Sequence, residues 1–326
     1  MLKRSGENTD GDEKMIQHVM LDAVVTASHA TNQWQSLAPQ FQSQGIDSLF
    51  ISGASGLTRV LHDGETPFHH GDSFTATYFT RSLSNKDVYM FHTPREEDME
   101  PSDPLNIVGA KAVKVPVQGQ DVLPAVAGAN INADKVSDKM KDISEIKGCQ
   151  TYTPTSCMTC ADMDAECFLL DDGGFVIATT RDDSQDVIGT FLGDRDGSLM
   201  MSLLQHEVYE RSLMSAWLSV AGAQNVPTPT PTTIYTEDPD ELRHHCVAKQ
   251  TQYRFFGDFA TNDGFRPWSS SKEIKRDVPN CNCTREFAAV RLPDTNLLFV
   301  IADENCGTCN TTRLAQSQFF DILLSV

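Results

Sequence analysis

The sequence predicts an α+β protein: antiparallel sheets with a long N-terminal helix and flanking helices, stapled by disulfides in its C-terminal half. Three observations carry this prediction. Residues 15–37 place small and apolar side chains at alternating spacings of four and three, which puts them on one helical face. Short β-branched and aromatic runs follow, broken by Gly, Asp and Asn turns. Few helices lie between them, which disfavours a doubly wound sheet. All nine cysteines fall from Cys149 onward, a clustering that signals a disulfide framework or zinc sites.

The helical stripe is Ile16, Met20, Ala23, Ala27, Ala30, Trp34 and Leu37, and its alanines permit close approach to a sheet. Pro39 is expected to end it. "SLFIS" (48–52) and "LTRVL" (57–61) flank "GASG", a hairpin turn. "DSFTATYFTRSL" (72–83) reads as a short helix or helical turn. "DVYMFHTP" (87–94) is a strand stopped by proline, and 96–104 is an acidic loop. "NIVGAKAVKVPV" (106–117) and "LPAVAGANIN" (123–132) pair across "QGQD". "ADKVSDKMKDI" (133–143) is a surface helix with opposite charges at helical spacing. A long helix, two strands, helical turns and three antiparallel strands fit a PAS-like α+β sensor module.

A second module begins after the first cysteine cluster. "CFLLDDGGFVIATT" (167–180) is strand, turn, strand. "GSLMMSLLQHEVYERSL" (197–213) reads as an amphipathic helix with Ser198 as N-cap. "NVPTPTPTTIYTEDPDE" (225–241) is an extended Pro/Thr-rich linker. "QTQYRFF" (250–256) and "REFAAVRLPDTNLLFVIAD" (285–303) read as strands, with "PDTN" as the turn. The expected division is a disordered segment 1–14, a first module 15–148, a cysteine-rich module 149–222, a linker 223–245, and a segment 246–326 completing the second module.

With 45 acidic against 26 basic residues and a formal net charge of −19, the surface repels nucleic acid. "MLKRSGENTDGDEK" lacks the apolar core of a signal peptide. "FFDILLSV" and "LMSAWLSVAGA" are too short to span a bilayer. A disulfide-rich body without an export signal is expected to be part of a longer protein.

The turn Asp171-Asp172-Gly173-Gly174 could suggest a metal site. A calcium loop needs oxygens at alternate positions and a distal bidentate glutamate, and neither follows. A hairpin turn of the I′ or II′ kind explains every residue. No phosphate-binding loop, dinucleotide fingerprint or nucleophile motif is present, so no catalytic residue, metal ligand or cofactor is expected in this chain.

"CMTC" (157–160) and "CGTC" (306–309) lie too far apart for paired zinc knuckles and lack the strand–helix setting of a redox motif. Cys149, Cys157, Cys160, Cys167, Cys246, Cys281, Cys283, Cys306 and Cys309 are therefore disulfide candidates, with connectivity open. Cys167, at the entrance to the hairpin, is placed to staple it to the preceding loop. The odd count leaves one thiol free or paired elsewhere. "NCT" at Asn282 and "NTT" at Asn310 fit the glycosylation pattern. His69-His70 and His244-His245 read as solvated loop residues, since adjacent side chains point different ways. Tyr78 and Arg81 are candidates for a small-molecule pocket beneath the helical turn. There Arg81 would meet a ligand carboxylate, or else form an ordinary salt bridge.

"CFLLDDGGFVIATTRDDSQDVIGTFLGDRDGSLM" (167–200) resembles a segment of the alpha-2/delta auxiliary subunits of voltage-gated calcium channels. Similar, in the same order, are "MLDAVVTASHATNQW", "GLTRV", "DSFTATYFTRSL", "PAVAGANI", "KQTQYRFF" and "CNCTREFAAVRLPDTNLLFVIADENCGTC". The likeness is collinear over roughly residues 15–316 and most specific from LLDDGGF to SLM. It implies extracellular PAS-like Cache modules, disulfides, glycosylation, no enzyme activity, and a channel pore-forming subunit as partner. It also implies a disulfide to an upstream part of the same protein and attachment to the outer face of the plasma membrane. The family's metal-ion-dependent adhesion site and its amino-acid-binding Cache region match no motif here. The Pro-rich linker makes family-like cleavage into two chains an unexpected feature. The competing expectation is a Cache-type sensor binding a small amino acid or amine.

Overall fold

The computed structural model describes residues 9–62, 76–93, 106–148, 159–181, 184–219, 245–256, 287–303, 314 and 318–321. Helix α1 (Thr9–Ser43) starts earlier than the stripe predicts and runs through Pro39 to Ser43. Proline costs a helix one backbone bond, and the turns beyond it still close. Its packing face also differs from the prediction. Ile16 and Met20 are 59% and 63% exposed, and polar bonds join the helix to the first hairpin. Arg59 donates from Nε to Thr26 Oγ1 (2.8 Å) and from Nη2 to the Ala23 carbonyl (3.0 Å). Ser55 donates to Asp22 Oδ2 (2.5 Å). These bonds turn the helix so that Asp22, Ala23 and Thr26 face inward. Of the predicted stripe, Ala23 is kept at the contact and Trp34 is half-buried, while Ala27 and Leu37 are exposed.

The first sheet has the order β2-β1-β5-β4-β3, antiparallel throughout. Its strands are β1 (Ile46–Gly53), β2 (Thr58–His62), β3 (Met90–His92), β4 (Asn106–Val117) and β5 (Gln120–Asn132). Alternation along β1 turns Ser48, Phe50 and Ser52 inward, as period two requires. Helix α2 (Thr77–Ser84) covers that face with Tyr78, Phe79 and Ser82. Phe50, Tyr78, Phe79, Val108, Ala110 and Val126 make its core.

Helix α3 (Ala133–Gly148) extends past the predicted end at 143 and packs on β5 and on the second sheet. That sheet comprises β6 (Ala165–Asp171), β7 (Val176–Thr179), β10 (Phe287–Arg291) and β11 (Leu297–Asp303). Its order, β7-β6-β11-β10, repeats the β2-β1-β5-β4 of the first sheet. In both sheets a helix precedes a hairpin, and the module's last strand returns beside its first. Strands β8 (Tyr209–Ser219), β9 (His245–Phe255) and β12 (Gln318–Asp321) form a third sheet. Phe168, Leu170, Ile177, Leu192, Leu199, Met200, Leu203, Tyr209 and Leu298 fill the larger core.

Between β7 and β8 lie α4 (Ser184–Val187), α5 (Leu192–Arg195) and α6 (Gly197–Gln205). The expected helix over 197–213 is corrected at both ends. Asp196, not Ser198, caps α6 by accepting from the Leu199 amide (3.0 Å). Ser198 instead donates to the capping carboxylate (2.7 Å). The helix stops because Glu207 adopts φ 58°, with Glu207 N bonded to Leu204 O (3.1 Å) and Val208 N to Leu203 O (2.9 Å). This is a Schellman end, sealed by the buried pair Leu203 and Val208. "YERSLMSAWLS" then pairs with β9 along its whole length.

Cys160 and Cys167 are joined, with Cα atoms 5.7 Å apart. The Cys160 amide donates to Ser144 Oγ on α3 (2.8 Å), so the bridge ties β6 to that helix. Cys246 lies on β9. Cys149, Cys157, Cys281, Cys283, Cys306 and Cys309, both sequons, both histidine pairs, the linker and segment 1–8 lie outside the described residues or at their edge.

Gly128 of β5 is where the first sheet tolerates least. A Cβ there would sit 2.4 Å from the Phe50 ring and 2.7 Å from the Gly109 carbonyl. Phe50 is fully buried, so neither neighbour can yield without moving the core. Gly128→Ala is expected to lower stability by about 1–3 kcal/mol in chemical denaturation.

Candidate functional site

The described polar side chains converge where the two modules meet, at the hairpin turn between β6 and β7. Asp171 N donates to Phe175 O (2.9 Å) and Gly174 N to Asp171 O (3.0 Å). Gly174 has φ 80°, while Asp172 and Gly173 keep negative φ. A three-residue loop with a left-handed last residue therefore replaces the expected I′ or II′ turn. The reason is the Asp171 side chain. Its Oδ1 accepts from the amides of Gly173 and Phe175, both at 2.9 Å, and holds the loop in the wider form. Tyr209, buried beneath, donates its hydroxyl to the Asp171 carbonyl (2.6 Å).

Arg81 reaches this turn from α2 in the first module. Its guanidinium lies 3.5 Å from Asp171 Oδ2 and bonds Asp172 Oδ1 directly. Asp171 is buried, whereas Asp172 is more than a third exposed. The pair therefore differs from a surface salt bridge in that one carboxylate has left water.

Asn296, in the turn between β10 and β11, adds the second clamp. Its Oδ1 accepts from the Phe91 amide (2.7 Å), and its Nδ2 donates to the Phe91 carbonyl (3.0 Å). Nδ2 also donates to Asp172 Oδ1 (3.0 Å). The side-chain amide thus takes the place of a neighbouring strand along the open edge of β3. The main chain continues the pattern: Tyr89 N donates to Asp294 O (2.8 Å), and Asn296 N to Tyr89 O (3.2 Å). Tyr89 and Thr295 form a parallel bridge.

Tyr78 and Arg81 thus occupy one helix with different tasks. Tyr78 is buried against Phe50 (4.9 Å between centroids), and its hydroxyl pairs with Ser52 Oγ (2.8 Å). Arg81 is engaged by two carboxylates of the chain itself. Asn296 gave no sequence signal beyond membership of a turn, because its partners are Phe91 of β3, 205 positions away, and Asp172, 124 positions away. Among the described residues, no group of three or more His, Cys, Asp or Glu side chains is arranged to hold a metal ion.

Two groups at the junction titrate in opposite senses. Burial, reinforced by the charge of Arg81, pushes the His92 imidazole down to about 4. Burial and the neighbouring Asp172 raise Asp171 to about 6, against the pull of Arg81 and two amides. A histidine depressed in the fold makes stability fall as pH drops from about 6.5 toward 4. A carboxyl raised in the fold makes stability fall as pH rises from about 4 toward 6. In wild type these contributions offset each other. Read as differences from wild type, His92→Gln is expected to lose stability progressively from pH 4 to 6, and Asp171→Asn to gain it, each on the order of 2 kcal/mol. Denaturation midpoints across that range check the signs. Asn296→Ala leaves both Phe91 backbone groups without partners and is expected to cost about 2–4 kcal/mol in the same assay.

The family model described as "Neuronal voltage-dependent calcium channel alpha 2acd" matches residues 1–230 and 229–320. The chain is 24% identical to rat voltage-dependent calcium channel subunit alpha-2/delta-2 over 365 residues, covering 93% of this chain and 30% of that protein. It is 21% identical to human subunit alpha-2/delta-4 over 357 residues, covering 94% and 31%. The chain therefore spans just under a third of these relatives. Among solved structures it is similar to the ligand-binding domain of the Pseudomonas fluorescens chemoreceptor CtaA in complex with L-isoleucine (TM-score 0.38, 11% identity, 81% of this chain and 71% of that one). It is also similar to the sensor domain of the V. cholerae histidine kinase DctB (TM-score 0.35, 9% identity, 88% and 84%). The repeated strand order makes this an α+β fold of two related antiparallel modules flanked by helices. The chain belongs to the neuronal voltage-dependent calcium channel alpha-2 family.

Proposed function

We propose that this chain is the C-terminal part of an alpha-2/delta-type auxiliary subunit, which supports trafficking and gating of a voltage-gated calcium channel. The observation that carries the reading is the family match, which runs through both modules from residue 1 to residue 320. On this reading the protein is non-enzymatic, sits at the extracellular face of the plasma membrane, and binds the pore-forming subunit.

Two structural features support it. The buried Cys160–Cys167 bridge suits an oxidising compartment. The charged groups at the junction are consumed by one another, as befits a scaffold whose surfaces, not a reaction centre, do the work. Nine cysteines cannot all pair within one chain, and the remaining thiol is assigned to a bridge with an upstream part of the same protein. Asn282 and Asn310 are assigned as glycosylated. Among the described residues, no helix is long and apolar enough to cross a membrane.

Co-expression of the full-length parent with a pore-forming subunit tests the proposal. The expected result is co-purification in mild detergent together with a larger surface calcium current. Absence of both association and current change would contradict it.

A further inference from the structure

We infer that α2 is a crossbar coupling the two modules: its seat on the first sheet and its grip on the second module's hairpin turn form and break together. The helix has eight residues, and no side chain caps its N-terminus at Ala76. A helix this short is marginal by itself, so tertiary contacts set its position.

Those contacts divide between two bodies. Tyr78 is anchored inside the first module by the Ser52 hydroxyl and the Phe50 ring. Its ring also stacks on His92 at 6.5 Å between centroids. Arg81, three positions on, holds Asp171 and Asp172 of the second module. Residues three apart share a helix face and move as one piece. The Arg81 carbonyl is itself bound at the helix end, accepting from the Asn85 amide (3.0 Å) and Asn85 Nδ2 (2.9 Å). A displacement of α2 large enough to free Tyr78 from Ser52 therefore withdraws Arg81 from the turn. Asp172 then loses its cation and keeps only the Asn296 amide, which also bonds the edge of β3. The path from the inner face of the first sheet to the turns of the second runs through four side chains: Ser52, Tyr78, Arg81 and Asp172.

Hydrogen–deuterium exchange of the whole chain tests the coupling. Tyr78→Phe removes only the hydroxyl that meets Ser52, which lies wholly in the first module. It is expected to speed exchange in residues 171–176 and 292–297 by about five-fold, the equivalent of one lost hydrogen bond. Asp172→Asn, at a partly exposed turn, is expected to speed exchange reciprocally in residues 77–84. Arg59→Ala, which loosens α1 on the opposite side of the hairpin, serves as control and is expected to leave both turns unchanged. If Tyr78→Phe fails to fold, Ser52→Ala removes the same bond from the other partner. Acceleration confined to the module carrying each substitution would overturn the inference, as would an equal response to Arg59→Ala.

Discussion

The arrangement of this molecule rests on one shared acceptor. Asp172 Oδ1 receives Arg81 from the first module and Asn296 from the far turn of the second. Asn296 in turn completes the exposed edge of β3 with two backbone-like bonds. An open strand edge left unpaired would invite association with other chains. Here the second module covers that edge, and the acidic hairpin fixes the distance at which it does so. The acidic Gly turn thus has an architectural role.

The bonding at the junction explains its tolerance of charge. Burying Asp171 would be costly if the carboxylate stood alone. Two amides, a guanidinium and its own loop geometry offset that cost, while His92 remains neutral beside the same cation. Tyr209 underpins the turn through the main chain and so adds no charge. The Cys160–Cys167 bridge works one layer away, fixing the start of β6 to α3 so that the hairpin enters the junction from a set direction.

Much of this was legible in the sequence, and the omissions share a cause. Apolar and β-branched runs bounded by turn residues identified β4, β5, β6 and β11, and "PDTN" marked the turn before β11, because those signals are local. The position of Cys167 foretold a staple onto the loop before it. The end of α6 was missed because Glu207 takes the left-handed place that glycine usually holds. The face of α1 was misread because polar bonds from Arg59 and Ser55, rather than its apolar stripe, decide its rotation. The pairing of Arg81 with residues 90 positions away, and of Asn296 with β3, depends on two modules meeting. No window of sequence contains both halves of such a contact.

The central claim is that the contacts of Arg81 and Asn296 with Asp172 fix the second module against the first. Residual dipolar couplings of backbone amides test it most directly. A single alignment tensor should fit the strands of the first sheet and those of the second together. Separate tensors for the two sheets, with the wild-type junction intact, would contradict it.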